Sequence, residues 1–383
     1  MLITDSAALV TFCDALRGAP YIAVDTEFLR ERTYYAHLCL VQIAYGEHAA
    51  AIDPLAPGLD LGPLRDLLLD PATVKVFHAA GQDLEIFVQK LGAVPSPVFD
   101  TQIAAAACDH GDQAGYATLV HNLLGVTLDK ASQATDWSIR PLTERQVVYA
   151  IGDVTHLCHL YERLSADLIS RGRTGWVAED MAALLDEDRY RVDPREAYRR
   201  LRVRGAKRQT LAVLRELAAW REETAMARDL PRPWVAPDDA LIEIAQHLPE
   251  DVEELARVRT LKGPTARGQD GKAMLAVIRR ALALPESEWP AMPERRPPLV
   301  GHESLVALLQ ALLRLRCEAH GVATRMVASR EDLDQLATAE VPDIPAMTGW
   351  RRELFGADAL ELRAGRLAMT GGDGGVVVVR VGG

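Results

Sequence analysis

The spacing of apolar positions changes several times over the first 170 residues, and each change marks an element. Ser6 to Leu16 carries apolar residues at helical spacing behind a Thr4, Asp5 or Ser6 cap. The apolar runs Tyr21 to Phe28, Leu38 to Tyr45 and Ala49 to Ile52 follow in quick succession, which predicts an antiparallel meander of three strands. Pro63 to Leu69 reads as a short helix, Thr73 to Phe77 as a buried strand, Gly81 to Leu91 as a helix and Val98 to Thr101 as a last short strand. From Gln102 to about Leu168 the pattern is helical throughout. Strands first, crossover helices next and a helical tail predict an α/β domain whose sheet mixes strand directions.

After a hinge at Arg171 to Gly175 the pattern stays helical, with segments at Leu211 to Arg228, Leu241 to His247 and Gly271 to Leu284. The run Tyr198 to Arg208 is dense in arginine, either a contact for RNA phosphates or a solvated helix face balancing nearby acids. Pro285 to Pro298 is rich in proline and charge and reads as a linker. Beyond it, Leu305 to His320, Ser329 to Thr338 and Gly349 to Phe355 are helical, and Gly374 to Val381 reads as a terminal strand paired with Leu360 to Leu367.

Composition narrows the function classes. A chain of 383 residues with 49% hydrophobic residues is long enough for two or three cored domains. Its net charge of −11 argues against holding nucleic acid by bulk positive field, though local basic patches remain open. Five scattered cysteines without a CxxC pair fit reduced thiols better than a disulfide framework or a zinc site. The N-terminus has no basic region ahead of an apolar core, and no apolar run approaches the ~20 residues of a membrane span. The expectation is a soluble cytoplasmic protein with no membrane partner.

Chemistry enters where acids interrupt apolar runs. On a strand, Asp25 and Glu27 project from one face, with Val24 and Thr26 on the other. Two like charges on a buried face repel and are costly to desolvate unless a cation or a proton intervenes. Either a hard divalent metal sits there, or the strand ends and both acids reach solvent. Asp83 falls beside a strand end, where α/β sheets gather ligands, but a first-turn acid is also favoured by the helix dipole. Tyr149 and Asp153 lie four apart on one helix face, which alone suits a hydrogen-bonded pair closing the core.

Together these residues resemble a signature. Asp25-Thr-Glu27 on a strand, Asp83 on a later helix and Tyr149-x-x-x-Asp153 on a last helix resemble the four-acid (DEDD) exonuclease superfamily, tyrosine subclass. Val24 to Phe28, Glu31 to Tyr35, Leu38 to Ile43, His78 to Asp83 and Tyr149 to Val154 are similar to the ribonuclease D family in particular. Trp220-Arg221, Ala227 to Asp229, Pro231-Arg232 and Asp238 to Leu241 resemble the helical HRDC domain that this family shares with RecQ-type helicases. The resemblance implies a ribonuclease H-like exonuclease domain at 1–172, a helical linker at 173–205, an HRDC domain at 206–286, a linker at 287–298 and a degenerate HRDC-like copy at 299–383.

The resemblance also implies a metal-dependent 3′→5′ exoribonuclease that releases nucleoside 5′-monophosphates and trims transfer RNA precursors. It implies two ions, Mg2+ or Mn2+, with Asp25 shared, Glu27 and Asp153 completing the first site, Asp83 serving the second and Tyr149 orienting the attacking water. Thr26 and Gln82 are candidates for sugar or phosphate contacts by position. Phe28 either stacks on the terminal base or packs in the core. His78 reads as a turn or core histidine. His156 and His159 are three apart, but carboxylate chemistry with a hard metal has no need of them. Tyr34 and Tyr35 match the family without an assigned role. A monomer acting on RNA is the expected state. A DNA exonuclease and an inactive nucleic-acid-binding protein are the alternatives.

Overall fold

The computed structural model describes residues 1–128, 135–203, 205–292, 301–372 and 375–381. A six-stranded sheet is built from β1 (Leu2–Ile3), β2 (Tyr21–Leu29), β3 (His37–Tyr45), β4 (His48–Ile52), β5 (Val74–Phe77) and β6 (Val98–Asp100), in the order β1-β4-β3-β2-β5-β6. β2, β3 and β4 form the expected antiparallel meander, while β5 runs parallel to β2 and β6 parallel to β5. The mixed sheet is therefore as the pattern predicts. The edge strand β1, parallel to β4, was not legible, because two residues show no alternation.

Alternation along β2 divides the domain into two layers. Ile22 and Val24 face an apolar core shared with α1 (Ser6–Ala15), α2 (Gly62–Leu69) and α3 (Gly81–Leu91). Tyr21 and Ala23 face the other way, onto Val154, Leu157 and Cys158. Asp5 caps α1 by accepting from the Ala8 N–H at 2.9 Å. The helical stretch expected from Gln102 onward is interrupted instead, giving α4 (Thr101–Ala107), α5 (Tyr116–Leu124) and α6 (Glu144–Ser170). Gly125, at φ 71°, stops α5 in the left-handed region. A capping box between Thr143 and Gln146 starts α6, whose 27 residues span the sheet face.

The second half is helical, as expected. α7 (Thr174–Ala183) leads through two short 3-10 turns, Glu187–Arg189 and Pro194–Arg200, to α8 (Arg208–Arg228), α9 (Arg232–Val235), α10 (Asp238–His247), α11 (Val252–Leu255), α12 (Gly263–Arg267) and α13 (Gln269–Leu282). The basic run at 198–208 is thus not one helix face, and its Arg204 lies outside the described residues. α8 to α13 enclose their own core, centred on Leu214, Leu217, Leu241, Ile244, Met274 and Ile278.

α14 (Glu303–His320), α15 (Thr324–Val327), α16 (Arg330–Thr338), α17 (Gly349–Arg351) and α18 (Ala357–Arg363) follow, with a π-helical turn at Arg352–Gly356. A hairpin of β7 (Leu367–Gly372) and β8 (Gly375–Arg380) comes last. The terminal strand forms, but its partner differs from expectation: residues 360–363 belong to α18, and the pairing starts at Leu367. Their helical period dominates because Ala359 and Leu362 pack into the core. The linker residues 293–298 and Gly374 lie outside the described residues.

The C-terminal helices share one core with the exonuclease-side helices, in which Ala104, Leu160, Leu164 and Val177 meet Leu309, Leu313, Leu336 and Phe355. Polar contacts reinforce it. Arg173 donates to the carbonyls of Ala107 at 2.6 Å and Gly321 at 2.8 Å. Trp176 and Trp350 stack at 4.2 Å. All five cysteines are free and buried. Among the described residues no helix is long and apolar enough to cross a membrane.

Candidate active site

The α6 face of β2 carries Asp25 and Glu27, and α6 lays Asp153 over them, with Tyr149 one turn earlier. One carboxylate oxygen from each of Asp25, Glu27 and Asp153 lies within 4.8 Å of the others. Asp25 and Glu27 are half-buried and Asp153 is buried. They line a cavity of about 210 Å³ together with Thr26, Tyr149 and Leu157.

Crowding and burial act together on these acids. Burial raises the Asp25 carboxyl above its ordinary range, against a backbone hydrogen bond from Thr26. Glu27 is pushed up to about 9 by burial first and then by the charges of Asp25, Asp153 and Asp83. Asp153 rises to about 7 through burial and Asp25, partly offset by the Tyr149 hydroxyl. Three convergent carboxylates whose affinity for protons is raised by burial and by one another form a site a hard divalent cation would fit, since oxygen donors suit such an ion and its charge relieves their repulsion.

Asp83 sits in the first turn of α3, buried, outside this group of three. It accepts a hydrogen bond from the Thr26 hydroxyl. Its carboxyl is also raised, by burial and then by Asp25, so it belongs to the same electrostatic cluster. Phe28 follows a register shift between Glu27 and Phe28 and packs against the core of α1 to α3. Gln82 is exposed on the outer side of α3, and neither it nor Phe28 lines the cavity. His159 pairs with Glu162 at 3.7 Å, and neither it nor His156 joins the acids.

Sequence reasoning missed two lining residues, His78 and Tyr116. Tyr116 donates its hydroxyl to the Asp153 carbonyl, and the His78 ring lies 5.4 Å from the Tyr116 ring. The Nδ1 of His78 is 3.0 Å from the Thr101 hydroxyl, so the turn histidine is also a wall of the site. A third absentee is the loop before α6. Its Trp137 ring lies 6.1 Å from that of Tyr149, and Arg140 anchors the loop on Asp53 at 2.6 and 2.7 Å. The arginine-and-tryptophan cluster ahead of Tyr149 was the available signal.

Known proteins supply the context for this geometry. Residues 1–169 match the family described as 3′-5′ exonuclease, and residues 210–278 match the HRDC domain. The chain is 48% identical over 373 residues to ribonuclease D of Acidiphilium cryptum, covering 96% of this chain and 94% of that one. The chain belongs to the ribonuclease D family. Ribonuclease D of Granulibacter bethesdensis is likewise 48% identical, over 96% of this chain and 93% of its own. Escherichia coli RNase D, whose crystal structure is described as that of "an exoribonuclease involved in structured RNA processing", superposes with a TM-score of 0.81 at 34% identity, over 95% of this chain and 98% of that one.

The ribonuclease D family is metal-dependent, in keeping with the acid cluster. The exonuclease match spans all four acids and Tyr149. The HRDC match runs from α8 into α13, so one HRDC domain is established, at 210–278.

Proposed function

We propose that the chain is a 3′→5′ exoribonuclease that uses two divalent ions, Mg2+ or Mn2+, and releases nucleoside 5′-monophosphates from RNA 3′ ends, transfer RNA precursors among them. The observation that carries this reading is the convergence of Asp25, Glu27 and Asp153 within 4.8 Å. Such ions, when bound, would supply positive charge where negative charge develops on the phosphate and would acidify the attacking water. Asp25 would be shared between them, with Glu27 and Asp153 on one ion and Asp83 on the other.

The chain's own groups do the rest. The Tyr149 hydroxyl holds the attacking water in line with the phosphorus. Burial and then Asp153 keep that phenol protonated, so it orients rather than accepts a proton. Tyr116 braces the α6 turn that bears Asp153. Thr26 steadies Asp83 from the far side of β2 and lines the cavity, consistent with a role near the substrate. Phe28, packed against the core of α1 to α3, would contact substrate only through a rearrangement of its surroundings, whereas Gln82, exposed beside Asp83, is free to meet the sugar or phosphate.

The domain plan follows the same reading: exonuclease domain 1–172, helical linker 173–205, HRDC domain 206–286, linker 287–298 and a divergent HRDC-like copy at 299–383. The order of elements supports the second copy. Each long helix, α8 and α14, ends in a left-handed residue, Asp229 at φ 47° and Gly321 at φ 56°. Each is followed by a four-residue helix, α9 or α15, an extended alanine, Ala236 or Ala328, and then α10 or α16. Each closing segment brings a glycine against an alanine carbonyl, where an added Cβ would meet Ala266 O at 1.8 Å from Gly271 and Ala346 O at 1.9 Å from Gly356. The chain is taken to act as a monomer.

The test is digestion of a 5′-labelled single-stranded RNA and its DNA counterpart with added Mg2+ or Mn2+, beside Asp153→Ala. A ladder shortening from the RNA 3′ end, absent with chelator and in the variant, supports the reading. Equal digestion of DNA would make the chain a general 3′→5′ exonuclease. Intact RNA that still binds would make it an inactive nucleic-acid-binding protein.

A further inference from the structure

Gln42 is 0% exposed, and neither its Nε2 nor its Oε1 has a hydrogen-bond partner among the described residues. Leaving an amide unpaired in the interior costs about 1–3 kcal/mol per group, and buried side chains that do so call for an explanation. The position does not demand a polar residue for folding. Leu40 and Ala44, two residues to either side on the same face of β3, are buried and apolar.

The register supplies the explanation. Gln42 lies directly across from Asp25 in the antiparallel pairing of β2 and β3, as Leu40 lies across from Glu27. Cross-strand partners share a face, with Cβ atoms about 5 Å apart. The shared face is the one beneath α6, since Ala44 clusters with Val154 and Leu157, and Leu40 with Ala150 and Tyr149. The amide is therefore held in the same thin layer as Asp25 and Asp153.

We propose that Gln42 is a positioning residue for the acid cluster: when Asp25 is ionised around a divalent cation, Nε2 donates to its carboxylate and fixes its orientation. This rests on reading the acids as a metal site. The residue type suits the task. An amide brings N–H donors without a charge of its own, so it neither competes for the cation as a fourth carboxylate in this layer would nor repels it as a lysine would. A donor behind a ligating carboxylate is the kind of outer support whose loss weakens metal affinity or activity about 10–100-fold.

Gln42→Met and Gln42→Leu remove the amide while keeping volume and burial. Three quantities are measured on each and on the wild type: the Tm without metal, the Mg2+ and Mn2+ concentrations that half-saturate the metal-induced Tm shift, and kcat and KM on the labelled RNA. The expected result is a metal-free Tm equal to or above the wild type, a midpoint for metal raised about tenfold or more, and a fall in kcat with KM for RNA unchanged. An unchanged metal midpoint in whichever variant folds overturns the proposal, whatever happens to Tm, because a merely structural amide would leave the metal response intact. Failure of the underlying reading looks different: the wild type itself would show no metal-induced shift.

Discussion

Tyr34 donates its hydroxyl proton to Glu222, joining the loop after the acid-bearing strand to a fully buried carboxylate of the HRDC helix α8. Arg232 closes the group, with its Nε 2.7 Å from Glu222 and its guanidinium 4.6 Å from the Tyr34 ring centre. Burial pushes the Glu222 carboxyl up, but the hydrogen bonds of Arg232 and Tyr34 outweigh it and hold the group below its ordinary range. Asp229, in the left-handed residue that ends α8, accepts from the backbone N–H groups of Tyr34 and Tyr35, both at 3.0 Å. A loop that begins near Glu27 is thus clamped by the neighbouring domain.

Tyr34→Phe removes the hydroxyl's bond to the buried Glu222 and the one it accepts from Arg232 Nη2 at 2.9 Å, and leaves the Arg232–Glu222 pair in place. The expected loss is about 1.5–3 kcal/mol, read as a lower urea midpoint, with proteolysis increased between the exonuclease and HRDC domains. The metal-induced Tm shift should persist, since no acid of the cluster is touched. A variant as stable as the wild type would show that this contact does not hold the two domains together.

The raised acids make stability depend on pH in a definite direction. Asp25, Glu27 and Asp153 bind protons more tightly folded than unfolded, where carboxyls titrate near pH 4. Their contribution to metal-free stability is fully present below about pH 4. It is lost as pH rises through about 7 for Asp153 and about 9 for Glu27. Tm measured with chelator should fall across that window, after allowance for groups elsewhere. Added Mg2+ or Mn2+ should raise Tm more at pH 8.5 than at pH 6, because binding displaces fewer protons. A metal-induced shift that does not change with pH would contradict the assignment.

Asp25→Asn separates the two consequences of crowding. It removes a charge that raises Glu27, Asp83 and Asp153 alike. Metal-free stability at pH 8 should therefore increase, by about 1–2 kcal/mol once solvent screening is allowed for. Exonuclease activity should fall by about 10²-fold or more, and the metal-induced Tm shift should shrink. A variant less stable than the wild type without metal would mean that Asp25 is held by contacts rather than strained by its neighbours.

What the sequence revealed follows from the range of each signal. Alternation in β2 placed Asp25 and Glu27 together because strand period is local, and the four-residue interval placed Tyr149 beside Asp153 for the same reason. Tyr116 was invisible because its bond to the Asp153 carbonyl crosses 37 residues, and nothing in its own helix marks it. Gln42 stood in plain view within an apolar strand, but its meaning needed the register that sets it against Asp25. The interruptions between α4 and α6 were missed although Gly111, Gly115 and Gly125 punctuate them, since apolar content there stays high. Tyr34 carried a family match without a role until Glu222, 188 residues away, was seen beside it.

The shared core decides what a C-terminal truncation would do. Deleting residues 301–383 would uncover Ala104, Leu160, Leu164 and Val177, all buried against the C-terminal helices. It would also strip Arg173 of its bond to the Gly321 carbonyl and Trp176 of its stacked partner Trp350. Such a truncation should therefore lower Tm and promote aggregation before any effect on RNA handling can be read. A point change is the better probe. Arg351 is buried, bonds the Met326 carbonyl at 2.6 Å and reaches Glu179 at 2.7 Å and Asp180 at 2.9 Å on α7. Glu179 lies in solvent and contributes little, but the buried guanidinium and its carbonyl contact do not. Arg351→Ala should cost about 2–4 kcal/mol, seen as a lower urea midpoint and early proteolysis of the C-terminal helices. If the truncated chain instead melts at the temperature of the full chain, the two halves fold independently and the continuous core contributes nothing to stability.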